Sequence, residues 1–272
     1  MDGAKPFDGA PGANFATCGI AVMAKASAPG RTKTRLVPPL TFDEAAALNT
    51  AFLQDIADNL LRAARDAGIS GYAAYAPPGS EEFFESILPP AIGLIDARQL
   101  NFGDCLLRTI EEILARGHGA AVVLNSDSPT LPTAFLAETA HVLARPGERA
   151  VLGPSSDGGY YLLGLKTAHR RLFEDIAWST EHVAAQTLER ARDIGLDVHM
   201  LPVWYDVDDS EDLFRLADEL RRLRAAPHEI RAPKPHYPSA TAALLDRLWI
   251  DGAFARRRGD ARQIESADAG AS

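Results

Sequence analysis

Cysteine is scarce, with Cys18 and Cys105 the only two in 272 residues. They supply neither a disulfide framework nor the paired spacing of a zinc site, so a reducing cytoplasm is the expected setting. The seven histidines are scattered, with no H-x-x-x-H and no Cys/His cluster, which removes the common zinc arrangements. Positive charge is in short supply as well. Lys and Arg number 28 against 37 Asp and Glu, a net charge of −9 that argues against general nucleic-acid binding. No apolar run approaches the ~18 residues needed to cross a bilayer, and the opening MDGAKPFDGAPGANFA lacks the apolar stretch of a signal peptide. Two glycine motifs are missing too. Neither the dinucleotide pattern G-x-G-x-x-G nor the P-loop G-x-x-x-x-G-K-[ST] occurs.

What is present is an ordinary globular composition, 46% hydrophobic and 24% charged, long enough for an ample core. Residues 1–16 read as a loose tail. Short apolar runs at Thr17–Ala24, Gly71–Ala76, Ile92–Ala97, Ala120–Leu124 and Asp197–Trp204 read as strands. Helical periodicity fills the gaps: from the capping box Thr41-x-x-Glu44 to about Ala67, then Ser80–Leu88, Phe102–Arg116, Thr133–Ala144, Leu172–Ile176, Glu181–Ile194 and Glu211–Leu223. That alternation predicts βαβ units and a mixed, mostly parallel sheet with helices on both faces, an α/β domain over 17–223. The stretch Val151–Leu165 departs from it. Two apolar segments around a Pro154–Gly159 turn read as an antiparallel hairpin inserted in the sheet. Beyond about 224 the chain is proline-rich, with one helix expected at Ser239–Trp249 and a frayed tail from Gly252.

The polar clusters fall where parallel sheets bind ligands, beyond the carboxyl ends of strands. After the first strand come Lys25, Gly30, Arg31, Lys33 and Arg35, able to surround phosphate oxygens with side chains and backbone N–H groups. Charge patterning alone would make that run a solvated loop. After the fourth strand stands Ser126-Asp127-Ser128-Pro129. Its carboxylate can hold Mg2+ or Mn2+, although aspartate in such a setting is commonly a turn or cap residue. After the late strand come Asp206, Asp208 and Asp209, more acids than one helix cap requires. Alternation turns Asp206 and Asp208 to the same side, and Asp208 is the second candidate metal ligand. The hairpin turn contributes Asp157, Gly158, Gly159 and Tyr160, as a plain turn or as one wall of the same cleft.

Together these motifs resemble a small bacterial family of GT-A-type nucleotide-sugar transferases. They are Lys25…Gly30-x-x-Lys33-Thr34-Arg35-Leu36, Ser126-Asp127-Ser128-Pro129, Leu152-Gly153-Pro154…Asp157-Gly158-Gly159-Tyr160-Tyr161-Leu162-x-Gly164-Leu165 and Asp206-Val207-Asp208-Asp209-x-x-Asp212-Leu213. Order and spacing match over about 17–223. The family is similar to phospholactate guanylyltransferase and molybdenum-cofactor guanylyltransferase. Two positions depart from its pattern: Asn125 stands where glycine is more common, and Asp209 where a hydroxyl residue is. Neither removes a candidate ligand.

The resemblance implies a single Rossmann-like GT-A domain and a glycosyltransferase using a nucleotide-diphosphate sugar, with Mg2+ or Mn2+ as cofactor and a small-molecule acceptor. Under that reading Lys25, Gly30, Arg31, Ser126, Gly158, Gly159 and Tyr160 bind substrate, and Asp127 and Asp208 hold the metal. Lys33 and Arg35 face the phosphates, and Asp157 orients the acceptor or serves as general base. An alternative keeps the fold and transfers a nucleotidyl group from an NTP to a phosphorylated acceptor, with Lys33 and Arg35 stabilising pyrophosphate. A third class, a binding protein without catalysis, is disfavoured because all the motif acids are present.

Overall fold

The computed structural model of the protein describes residues 17–98, 101–225 and 233–250; the expected tails at 1–16 and from Gly252 lie outside them. Seven strands form one sheet in the order β3-β2-β1-β4-β6-β5-β7. They are β1 (Cys18–Lys25), β2 (Ile69–Ala76), β3 (Gly93–Asp96), β4 (Ala120–Leu124), β5 (Ala150–Pro154), β6 (Tyr160–Leu165) and β7 (Val198–Met200). All run parallel except β6, which is antiparallel to both β4 and β5. The hairpin is therefore inserted between β4 and β7. Its turn lies at the carboxyl edge of the parallel strands, because β5 ends and β6 begins there.

Alternation along β1 sorts the core. Ile20, Val22 and Ala24 join α1 (Phe42–Asp66) and α4 (Thr133–Leu143) on one face; Ala21 and Met23 join α3 (Phe102–Ala115) and α5 (Val183–Asp193) on the other. α1 begins as its sequence predicts. The Thr41 hydroxyl accepts from Glu44 N at 3.2 Å while Glu44 Oε2 accepts from Thr41 N at 2.7 Å, the reciprocal capping box. Leu48, Phe52, Ile56 and Leu60 all point into the core. α2 (Glu81–Ile87) packs on β2, its buried Phe84 ring 5.6 Å from that of Tyr75.

Two predicted elements are shorter than their patterns. Of Asp197–Trp204 only Val198–Met200 pairs, with β5. Pro202 offers no N–H, its carbonyl instead accepts from the Tyr161 hydroxyl at 3.0 Å, and pairing resumes only as a single bridge from Trp204 to Ser155. Leu172–Ile176 is a 3₁₀ turn at Arg170–Phe173, too short for an α-helix once Leu172 and Phe173 are buried under α3.

A third apolar cluster lies outside the sheet, where α6 (Ser210–Ala225) and α7 (Ser239–Ile250) pack with the first part of α1. Asp55 on α1 fixes the start of α7, its two carboxylate oxygens accepting from Ala240 N and Thr241 N at 2.8 Å each. His236, just before α7, is buried with Nε2 3.7 Å from Asp58, and burial pushes its pKa down to about 4. A depressed histidine pKa leaves the folded ring neutral while the unfolded ring protonates near 6.5, so its contribution to stability is lost as pH falls from 6.5 towards 4. Between pH 7 and pH 5 this amounts to about 2 kcal/mol. Urea unfolding of both proteins at the two pH values should show the wild type losing about 2 kcal/mol relative to His236→Leu, the titrations common to both cancelling in the difference. Equal slopes for the two proteins would remove histidine 236 as the cause.

Candidate functional site

Four segments meet at the carboxyl edge of the sheet: the loop after β1, the β4 end, the β5–β6 turn and the chain entering α6. They line a cleft of about 720 Å3 that includes Arg35, Asn125, Ser126, Asp127, Asp157 and Tyr160. The chain before α6 is held by its own alternation. Val207 is fully buried, its N–H donates to Asp127 O at 2.8 Å, and its carbonyl accepts from Lys33 Nζ at 2.6 Å. With Val207 drawn into the core, Asp206 and Asp208 on either side are turned to the cleft. Asp209 serves a different purpose, capping α6 by accepting from Glu211 N at 3.0 Å and Asp212 N at 3.1 Å. Asp212 in turn accepts from Asp208 N at 3.2 Å, which steadies the backbone of Asp208.

Each of Asp157, Asp206 and Asp208 offers a carboxylate oxygen within 4.8 Å of the other two. Burial, and then the charges of Asp157, Asp208 and Asp127, push the Asp206 pKa up to about 7. Burial also raises Asp208, against the opposing pull of Lys33 and Arg35. An all-carboxylate set of this kind fits a hard, oxygen-liganding divalent cation and offers nothing to a soft one. Asp127 is engaged otherwise: its Oδ1 lies 2.9 Å from Lys33 Nζ and 3.0 Å from the Ser126 hydroxyl. Asp157 is oriented by its own turn, Oδ1 accepting from Gly159 N at 2.9 Å.

The glycines of the turn divide into two roles. Gly158 has φ +91, and a Cβ there would sit 2.1 Å from Glu181 O, so the backbone of 179–182 packs directly on it. Ala184 N donates to Gly158 O at 3.0 Å, closing that contact. The other end of the 174–182 segment rests on α3, where Gly103 leaves room for Trp178 (a Cβ would meet its ring at 3.0 Å) and Trp178 meets Phe102 edge to face at 5.3 Å. The cleft thus has an acidic wall and, across from it, an apolar one that includes Met23, Phe102, Leu106 and Trp178.

Of the residues singled out in the sequence, Arg35, Ser126, Asp127, Asp157, Gly159, Tyr160 and Asp208 line this cleft. Lys25, Gly30, Arg31, Lys33 and Gly158 are not among its lining residues. Lys25 is exposed and donates to Arg31 O at 2.9 Å, and Gly30 adopts φ +71 at the exposed tip of the loop. Asp206 was visible in the sequence only as a neighbour of Asp208 on the same side. Nothing local in 174–182 signals that Trp178 and Glu181 reach the cleft.

A family model described as "Uncharacterized protein conserved in bacteria (DUF2064)" matches residues 58–180. No curated protein matches the chain. A solved structure of a proposed nucleotide-diphospho-sugar transferase from Desulfovibrio desulfuricans G20 is 27% identical, covering 88% of this chain and 97% of that one, with a TM-score of 0.72. Rv0371c from Mycobacterium tuberculosis H37Rv, in complex with manganese, is 17% identical over 74% of this chain and 98% of its own, with a TM-score of 0.42. The 4-diphosphocytidyl-2C-methyl-D-erythritol synthase of Anaerococcus prevotii DSM 20548 is 11% identical over 77% and 98%, at 0.48. The likeness to the Desulfovibrio protein, nearly end to end, identifies the fold as the Rossmann-like one of nucleotide-diphospho-sugar transferases.

Proposed function

We propose that the chain is a divalent-cation-dependent transferase acting on a nucleotide-diphosphate sugar, passing the glycosyl group to a small acceptor. The observation that carries this reading is the convergence of Asp157, Asp206 and Asp208 beside Arg35 at the ligand-binding edge of a sugar-nucleotide-transferase fold. Those three carboxylates would hold Mg2+ or Mn2+. A bound ion supplies positive charge against the departing diphosphate. Arg35, with 71% of its side chain exposed and only a 3.6 Å contact to Asp208, is free to add its planar donors to the same phosphates. Asp157, at the exposed turn, also orients the acceptor hydroxyl.

A second reading is nucleotidyl transfer from an NTP to a phosphorylated acceptor with release of pyrophosphate. It is favoured by one feature: Asp157 Oδ1 is already bonded to Gly159 N, and a phosphate acceptor, ionised at neutral pH, requires no side-chain base.

A thermal-shift panel of sugar nucleotides and NTPs, with and without Mg2+ or Mn2+, tests both. A ligand at ~100 times its Kd stabilises by about 2.7 kcal/mol. NDP release from a sugar nucleotide supports the first reading, pyrophosphate release from an NTP the second. A flat response across the panel overturns both.

A further inference from the structure

Resting on the assignment of the acid trio as a cation site, we propose that Lys33 is the protein's own counter-ion for that cluster. It is a positioning residue that shares Asp208 with the divalent ion and makes no contact with substrate phosphate. An ammonium has three N–H bonds. Three oxygens meet those of Lys33: Val207 O at 2.6 Å, Asp127 Oδ1 at 2.9 Å and Asp208 Oδ1 at 3.5 Å. The side chain is 7% exposed, and the Phe52 ring lies 5.3 Å from Nζ. A phosphate ligand needs a donor directed into the cleft, and Lys33 has none left to direct.

The backbone supports the same conclusion. Lys33 has φ +51, a left-handed conformation that side chains other than asparagine and aspartate seldom adopt. The 3₁₀ turn that follows, Thr34–Leu36, buries Leu36 completely and holds it there. Strain of this kind persists where the surroundings over-determine it. Here it delivers the ammonium to two acids carried by segments distant in sequence.

The acids are thereby divided. Asp127 belongs to the lysine, Asp157 and Asp206 lie open, and Asp208 is contested. An arriving divalent ion meets a unit positive charge beside one of its ligands, and at a separation of a few Å that charge weakens binding by at least about ten-fold.

The test is calorimetric titration of Mn2+ into the wild type, Lys33→Gln and Lys33→Arg, with melting temperatures of the metal-free proteins and a UDP titration in EDTA. Lys33→Gln, which keeps a donor for Val207 O, is expected to melt lower when metal-free and to bind Mn2+ at least about ten-fold more tightly. Its UDP affinity in EDTA should fall by less than about three-fold, since the diphosphate loses a nearby charge and no hydrogen bond. Lys33→Arg retains the charge and should bind Mn2+ within about two-fold of wild type. In the wild type labelled with ¹⁵N-lysine, one slowly exchanging ammonium signal, absent from Lys33→Arg, should move as Mg2+ is added. That measurement needs no neutral variant to fold. An unchanged Mn2+ Kd in Lys33→Gln overturns the proposal, as does a roughly ten-fold loss of UDP affinity in EDTA, the mark of a phosphate contact, or the absence of a protected ammonium. If neither the wild type nor any variant binds Mn2+, the cation site itself falls and this inference with it.

Discussion

The Asp206→Asn protein is expected to melt higher than the wild type without metal, and to gain nothing from Mg2+ or Mn2+, the ions proposed for the wild-type cleft. Both effects come from one feature. Asp206 lies among Asp157, Asp208 and Asp127, and its raised pKa shows that burial and these neighbours oppose its ionisation. At pH 8, where the carboxylate is charged, an amide of the same shape relieves the crowding and stabilises the metal-free fold. The same amide is a poor ligand in a trio whose other members are only two carboxylates. For the wild type, an ion at ~100 times its Kd adds about 2.7 kcal/mol. In a domain of this size that raises the melting temperature by roughly 5–10 °C. Scanning calorimetry of both proteins with and without Mn2+ measures the two shifts together. A variant that still gains the full wild-type increment would remove Asp206 from the cation site.

Gly158→Ala should be the most damaging conservative change at the cleft, costing about 3 kcal/mol. Two penalties act at once. The φ of +91 disfavours any Cβ, and the new methyl would overlap the Glu181 carbonyl, which lies 2.1 Å from its ideal position. Backbone cannot swing aside as a flexible side chain can, so relief requires the 179–182 segment to lift from the turn. Gly159→Ala is the comparison. Its nearest neighbour would be Asp157 Oδ1 at 3.2 Å and its φ is unremarkable, so a loss under about 1 kcal/mol is expected. Urea titrations of the two variants, read for midpoint and slope, separate them. Equal midpoints would mean that Glu181 does not rest on Gly158 in solution.

What could be read from the sequence was whatever local rules determine. The apolar runs of β1 and β4 are buried on both faces, and runs of that kind announce parallel strands. Thr41 and Glu44 marked the start of α1 because a capping box is contained in four residues. The hairpin around Asp157 was visible for the same reason. The site depended on longer distances. That Lys33 is turned towards Val207 rests on a contact spanning 174 residues. Nothing near Gly158 in the chain signals that Glu181, on another segment, packs directly on it. Alternation paired Asp206 with Asp208 in the sequence, but that Asp209 caps α6 and Asp212 holds the backbone of Asp208 depends on the burial of Val207 and the start of α6.

The order in which the strands are made has a consequence for synthesis. β5 and β6 complete the hairpin by Leu165, yet the partner on the outer side of β5 is the three-residue β7 at Val198–Met200. Until that short strand has emerged, Ala150, Val151 and Leu152, all buried in the finished sheet, form an open apolar margin able to accept a strand from another chain. Asp206 and Asp208 follow β7 directly, so the segment that closes this margin also delivers the last acids of the cleft. Chains cut short before it would be prone to self-association and would lack Asp206 and Asp208, whereas chains that reach α6 gain a covered β5 and an assembled cleft in one step.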